Sequence, residues 1–286
     1  MTHPDRPVAS LHRRATVNPL ARLLAQGRPL VMGVLNVTPD SFSDGDRFSD
    51  PEAAINHARR MVAEGADIID IGAESTRPYG GAEAVSLEEE MRRLKPVLPA
   101  VLSLGIPVSI DTMKAAVATY ALGAGAVIVN DVWGLQHDPD MARVVAGRGA
   151  PVLVMHNRDK ADPAIDIMAD IHAFFERSLE IAEKAGIARD RIALDPGIGF
   201  GKTADQSLLV IARFADLKSF SLPLMIGASR KRFIDKVSPA PPDQRLGGSL
   251  AAHLAAVANG AMIVRTHDVA ETLQALKVAA AIRSAR

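Results

Sequence analysis

The chain has 286 residues, with 33 basic and 33 acidic side chains, and is 48% hydrophobic but only 4% aromatic. Zero formal charge removes any global electrostatic reason to expect nucleic acid or an anionic membrane as partner, and no apolar run approaches the roughly 18 residues of a spanning helix. The absence of cysteine excludes a disulfide, a thiolate metal site and a cysteine nucleophile, and fits a reducing, cytoplasmic setting.

Residues 1–28 read as a basic arm, with Arg6, Arg13, Arg14, Arg22 and Arg28 set against Asp5. The arm lacks the apolar segment of a secretory signal. Its composition suits either an organelle leader or a partly disordered arm entering a short helix near 18–26. A single domain is expected over 29–286. Within it, eight short apolar runs each end in polar or charged residues. The endings are Asn36; Thr76 and Arg77; Asp111; Asn130 and Asp131; His156; Asp195; Ser229 and Lys231; Arg265 and His267. Short β-branched and aliphatic runs read as strands buried on both faces of a parallel sheet. Eight of them predict an α/β fold, a (β/α)8 TIM barrel, with its chemistry where the strands end.

The intervening helices carry their own punctuation. Asp50-Pro51 reads as an N-cap and first-turn proline, with Gly65 as the stop. Ser86 with Glu89 predicts a capping box opening one helix over 87–102. Further helical patterns cover 112–124, 139–147, 167–186, 204–218, 242–260 and 269–283. Their alternation with the strands is what parallel crossovers require.

Four connections stand out. Residues 36–46 and 74–81 are rich in Pro, Gly, Ser and Asp, and read as lids over substrate or as long turns. D-P-G-I-G-F-G-K at 195–202 lacks the P-loop pattern, so its glycines are read as shaping the floor beneath Asp195. S-R-K-R at 229–232 opens a helix whose amides and Ser229 hydroxyl suit an anion, although basic clusters are more often plain surface. Arg265 and His267 also suit phosphate or carboxylate. Asp111, Asp195, Lys231 and Arg265 unpaired in one mouth would burden a fold stable by about 5–15 kcal/mol. They must pair or bind something.

The motifs N-V-T-P-D-S-F-S-D-G (36–45), E-S-T-R-P (74–78), I-D-T-x-K (110–114), V-N-D (129–131) and M-H-N (155–157) occur in order. With 195–202, S-R-K (229–231) and R-x-H-D-V (265–269), they resemble the dihydropteroate synthase family over the span from about Leu30 to the C-terminus. The resemblance implies a pterin-binding TIM-barrel transferase of folate biosynthesis. Its members join 4-aminobenzoate to 6-hydroxymethyl-7,8-dihydropterin diphosphate, need Mg2+, form homodimers and are sulfonamide targets. It further implies that Asp111, Asn130, Asp195 and Lys231 line the pterin pocket. Asn36, Arg265 and His267 would hold the diphosphate, with Asn36 as metal ligand. Phe42, Thr76, Arg77, Pro78, Phe200 and Ser229 would form the 4-aminobenzoate site. Asp111, Lys231 and Arg265 are the expected catalytic residues.

The chain departs from the family pattern at Asp46, at Tyr79-Gly80-Gly81 and at Asn157. His156 stays open between a ligand contact and a satisfied strand-end histidine. Rival readings are a pterin-dependent methyltransferase, an aldolase-type barrel with Lys231 as Schiff-base amine, and a catalytically silent pterin-binding protein.

Overall fold

The computed structural model describes residues 18–38, 51–74 and 85–285. The strands are β1 (Leu30–Asn36), β2 (Ile68–Gly72), β3 (Val108–Asp111), β4 (Ile128–Asp131), β5 (Val152–Met155), β6 (Ile192–Asp195), β7 (Leu224–Ile226) and β8 (Ala261–Thr266). They pair in parallel in chain order, and β8 closes on β1 to complete a barrel. The helices are α1 (Pro19–Leu24), α2 (Pro51–Ala63), α3 (Leu87–Leu94), α4 (Leu98–Leu102), α5 (Ala115–Ala124) and α6 (Met141–Arg148). After them come α7 (Ile167–Ala185), α8 (Ala204–Ala212), α9 (Arg232–Val237), α10 (Leu246–Ala258) and α11 (Val269–Ser284). The TIM-barrel architecture expected from the eight runs is the one observed.

Strand parity divides the residues into two populations, because successive side chains face opposite sides. One parity packs outward beneath the helices, in a large cluster that includes Val31, Ile69, Ile110, Val129, Val154 and Leu194. The other fills the barrel. Leu30, Met32, Ile68, Ile128, Leu153, Ala193, Met225 and Ile263 form its lower layer, and Leu20 of α1 packs into the same cluster from below. One step further along the strands, the same parity brings up Asp70, Asp111, Asn130, Asp195 and Arg265. The barrel is apolar at its floor and charged above it.

Several helices depart from their sequence patterns for local reasons. The pattern over 87–102 breaks into α3 and α4 at Pro96, which lacks the amide donor that the next turn needs. Ser86 does cap the Glu89 amide at 3.2 Å, but the Glu89 carboxylate turns away to Arg92 and Arg93. Half of the expected capping box therefore forms, and a reciprocal one forms instead between Thr203 and Gln206. The 204–218 pattern ends its α-helix at Ala212 and continues as a 3-10 helix over Phe214–Phe220. The tighter winding stacks Phe214 and Leu217, three residues apart, on one buried line.

A buried strut ties α3 to the barrel top. Glu90, fully enclosed, accepts from the Thr112 hydroxyl at 2.8 Å and pairs with Lys114 at 2.8 Å, and Lys114 also pairs with Glu74. Glu90→Ala should strand the Thr112 hydroxyl and lower unfolding free energy by about 1–3 kcal/mol. Urea denaturation would measure it; a midpoint equal to that of the parent would show the strut to be idle.

Candidate active site

The ends of the strands surround one cavity of about 370 Å³. Its lining includes Asn36 from β1, Asp111 from β3, Phe200 from the loop after β6, Ser229 and Lys231 after β7, Arg265 from β8 and His267 just after it. Asn130 and Asp195 are buried beside that lining. Asn130 sits in register with Asp111, and the Asp195 carboxylate, the Lys231 ammonium and the Arg265 Cβ all lie within 4 Å of the point a Cβ on Gly227 would occupy. Phe42, Thr76, Arg77 and Pro78 lie outside the described residues, as do most of the two expected lids.

The charged layer is organised by a residue that motif reading passed over. Asp70, wholly buried on β2, accepts from Arg265 Nε at 2.6 Å and from Asn130 Nδ2 at 2.9 Å. Arg265 Nη2 then donates to Asp111 Oδ2 at 2.6 Å. One guanidinium thus bridges two carboxylates across the barrel. A sequence signal for Asp70 existed: an acid inside an apolar run, on the inward parity of Ile68 and Gly72. With Asn130 Nδ2 donating to Asp70, its Oδ1 is left as an acceptor; Asn130 Oδ1, Asp111 Oδ1 and Asp70 Oδ1 are buried without partners among the described residues. The layer is rich in acceptors. Asp131, adjacent to Asn130, takes no part. Its carboxylate accepts from the amides of Trp133 and Leu135 at 2.9 and 2.8 Å, locking the turn after β4.

Burial sets the electrostatics. It pushes Asp111 up to about 7 against the pull of Arg265. Asp195 is likewise raised by burial, opposed by Lys231 and by the Gly197 amide, which donates to its Oδ1 at 2.8 Å. Lys231 is lowered to about 8, with Asp195 opposing the shift. The Lys231 ammonium donates to the Ile198 carbonyl and lies 4.5 Å from the centre of the Phe200 ring.

The expected anion pocket at 229–232 is mostly committed internally. Ser229 Oγ accepts from the His267 amide and meets His267 Nδ1 at 3.0 Å, the Arg230 amide donates to Ser249 Oγ, and the Arg230 guanidinium pairs with Asp268. His156 is a satisfied strand-end histidine, buried between Lys202 and Asp170.

A (β/α)8 barrel carrying a donor-and-acceptor floor beneath an open mouth defines a class, and the chain belongs to it: the signature of the family described as "Pterin binding enzyme" matches residues 32–267. Among its relatives are the dihydropteroate synthases. The chain is 45% identical to that of Bacillus subtilis over 252 residues, which span 88% of this chain and 87% of the relative. It resembles the Xanthomonas albilineans enzyme with 4-aminobenzoic acid (TM-score 0.86, 43% identity, 91% of this chain and 94% of that one). The same enzyme in complex with 7,8-dihydropteroate superposes with a TM-score of 0.83 at 41% identity, covering 91% and 95%.

Removing the Asp70 carboxylate would leave Arg265 Nε and Asn130 Nδ2 without their acceptor. Asp70→Ala should therefore cost about 3–5 kcal/mol of stability, the usual loss on breaking a buried pair from one side. A thermal unfolding midpoint within a degree or so of the parent would refute that bridging role.

Proposed function

We infer that the protein condenses 6-hydroxymethyl-7,8-dihydropterin diphosphate with 4-aminobenzoate, giving 7,8-dihydropteroate and diphosphate, the dihydropteroate synthase step of folate synthesis. The observation that carries this reading is the buried set of unpartnered acceptors, Asp111 Oδ1 and Asn130 Oδ1, beside Asp195. Buried acceptors are costly unless a donor meets them. The amino-pyrimidinone edge of a pterin presents N–H donors there, and its ring carbonyl suits Lys231. Phe200 and Ser229 stand on the cavity wall where the arylamine would lie; the family resemblance also assigns that site Thr76, Arg77, Pro78 and Phe42, which lie outside the described residues.

Asn36, Arg265 and His267, on the same lining, hold the diphosphate. Arg265 serves two ends: Nε and Nη2 are tied to Asp70 and Asp111, while no described residue accepts from Nη1. The donor set also fits Mg2+. Mg2+ prefers oxygen ligands and commonly keeps waters and substrate phosphates in its shell, so the Asn36 amide oxygen on the cavity lining would hold it. Bound there, it supplies Lewis-acid neutralisation of diphosphate charge.

The reaction breaks the bond between the pterin methylene carbon and the diphosphate oxygen and forms a carbon–nitrogen bond to the arylamine. Arg265 and His267 donate to the departing diphosphate as its charge grows. Ionised Asp111 stabilises positive charge left on the pterin. The arylamine is weakly basic and already neutral near pH 7, so its lone pair needs no base, and its extra proton leaves after bond formation. No covalent enzyme intermediate is required. The enzyme works in the cytoplasm as a homodimer; no described helix is long and apolar enough to cross a membrane.

Diphosphate release should require both substrates; release that persists without 4-aminobenzoate would point to a hydrolase instead. Asp195→Ala should weaken pterin binding by about 3 kcal/mol in calorimetry, as expected when a buried charge-assisted contact is lost. Undiminished affinity would remove Asp195 from the pterin site. Asp111 gives a pH test. With its carboxyl raised to about 7, the ionised acceptor disappears as pH falls through that value. Affinity for the bare pterin alcohol should drop over the same interval, and Asp111→Asn should flatten the curve. A parent profile already flat across neutral pH would contradict the assignment.

A further inference from the structure

The loop after β6 is held from behind by a polar chain that the reaction itself does not use. Lys202, 1% exposed, donates from Nζ to His156 Nδ1 at 2.6 Å, to the Gly197 carbonyl at 2.9 Å and to the Phe200 carbonyl at 3.1 Å. Three acceptors match the three hydrogens of an ammonium. His156 Nε2 lies 2.9 Å from Asp170 Oδ2, and Asp170 pairs with Arg158 at 2.8 Å. With Nδ1 accepting from Lys202, the proton of His156 sits on Nε2 and points to Asp170. Burial, reinforced by the charge on Lys202, lowers His156 to about 3, so the ring is neutral at any working pH. The same burial draws Lys202 well below its ordinary value, with Asp195 opposing.

This chain clamps two loops together. Gly197 (φ +66°) and Gly201 (φ +53°) turn their missing-Cβ faces onto the backbone of His156 and Arg158, and a methyl at either position would overlap it. The clamped loop carries two elements of the cavity. The Phe200 ring faces Lys231 at 4.5 Å, and the Ile198 carbonyl accepts from the Lys231 ammonium. Lys202 thus grips the carbonyl of the residue whose ring forms one wall, and sits one hydrogen bond away from the segment that fixes Lys231.

We propose that Lys202 is a positioning residue for the 4-aminobenzoate site, holding Phe200 in place through the Gly197 and Phe200 carbonyls, with neutral His156 as its third acceptor. The proposal rests on the placement of the arylamine beside Phe200. It assigns His156 no proton transfer: what matters is an acceptor facing Lys202 and a donor facing Asp170. A glutamine side chain carries both.

The test compares steady-state kinetics of Lys202→Met, His156→Leu, His156→Gln and Phe200→Ala, with pterin affinity measured by calorimetry on each. Lys202→Met and His156→Leu should raise KM for 4-aminobenzoate at least about tenfold, leaving kcat and pterin Kd within about threefold. His156→Gln should stay close to the parent. A Lys202→Met enzyme with parental KM for 4-aminobenzoate would overturn the positioning role, and so would pterin Kd and KM worsening in parallel in Lys202→Met and His156→Leu, which marks a merely structural lysine. Loss of activity in His156→Gln equal to that in His156→Leu would overturn the acceptor–donor account. Phe200→Ala separates the two layers of the argument: a parental KM there removes the arylamine from Phe200, whereas a raised KM there without one in Lys202→Met condemns the positioning role alone.

Discussion

The structure turns on a single guanidinium held between two carboxylates inside a barrel. Arg265 meets Asp70 and Asp111 at 2.6 Å each, above a floor of Leu, Ile, Met and Ala side chains. Three formal charges at that depth, two negative and one positive, cannot be arranged at random, because each is costly away from water unless paired. Their pairing fixes the rest of the layer. Asp70 orients Asn130, Arg265 holds Asp111 on the cavity lining, and no described residue accepts from Arg265 Nη1. Such a trio is poor value as stability, since well-packed apolar residues would serve the fold as well or better. Its retention at the strands' carboxyl ends makes sense as preorganisation for a polar ligand.

Much of this was legible in the sequence because parallel strands advertise themselves. Each is buried on both faces, so an apolar run that stops abruptly marks both a strand and the rim of the barrel. Asn36, Asp111, Asn130 and Asp195 were found that way, and their register in the barrel follows from pairing in chain order. Adjacent residues were harder to separate. Asn130 and Asp131 look equivalent as a strand ending, but opposite parity sends one to the interior and the other to cap a turn. Asp70 was missed because it lies within its run rather than at the end. Parity along β2 would have exposed it.

What stayed unread depends on contacts between loops far apart in sequence. Lys202 looks like the tail of a glycine-rich segment, and nothing local says that it will meet His156, 46 positions earlier. The helix patterns failed for the opposite reason, through local detail: Pro96 divides one helix in two, and the Glu89 carboxylate prefers two arginines over its cap. Hydrophobic period predicts where a helix lies better than where it ends.

The raised carboxyls connect stability to binding. Asp111 and Asp131 titrate near about 7 and about 6 in the folded chain, both because burial penalises the charge. An unfolded carboxyl loses its proton near pH 4. Groups held up in this way favour the fold most in acid, and that contribution is lost as pH rises through their folded values. Near neutrality the fold therefore bears the cost of buried carboxylates; Asp131 has two backbone donors, and Asp111 has, among the described residues, the guanidinium. Asp131 recovers part of its cost within the fold through those two donors. Asp111 recovers more when a donor reaches Oδ1, so a donor-bearing ligand gains affinity from a cost that the fold already carries.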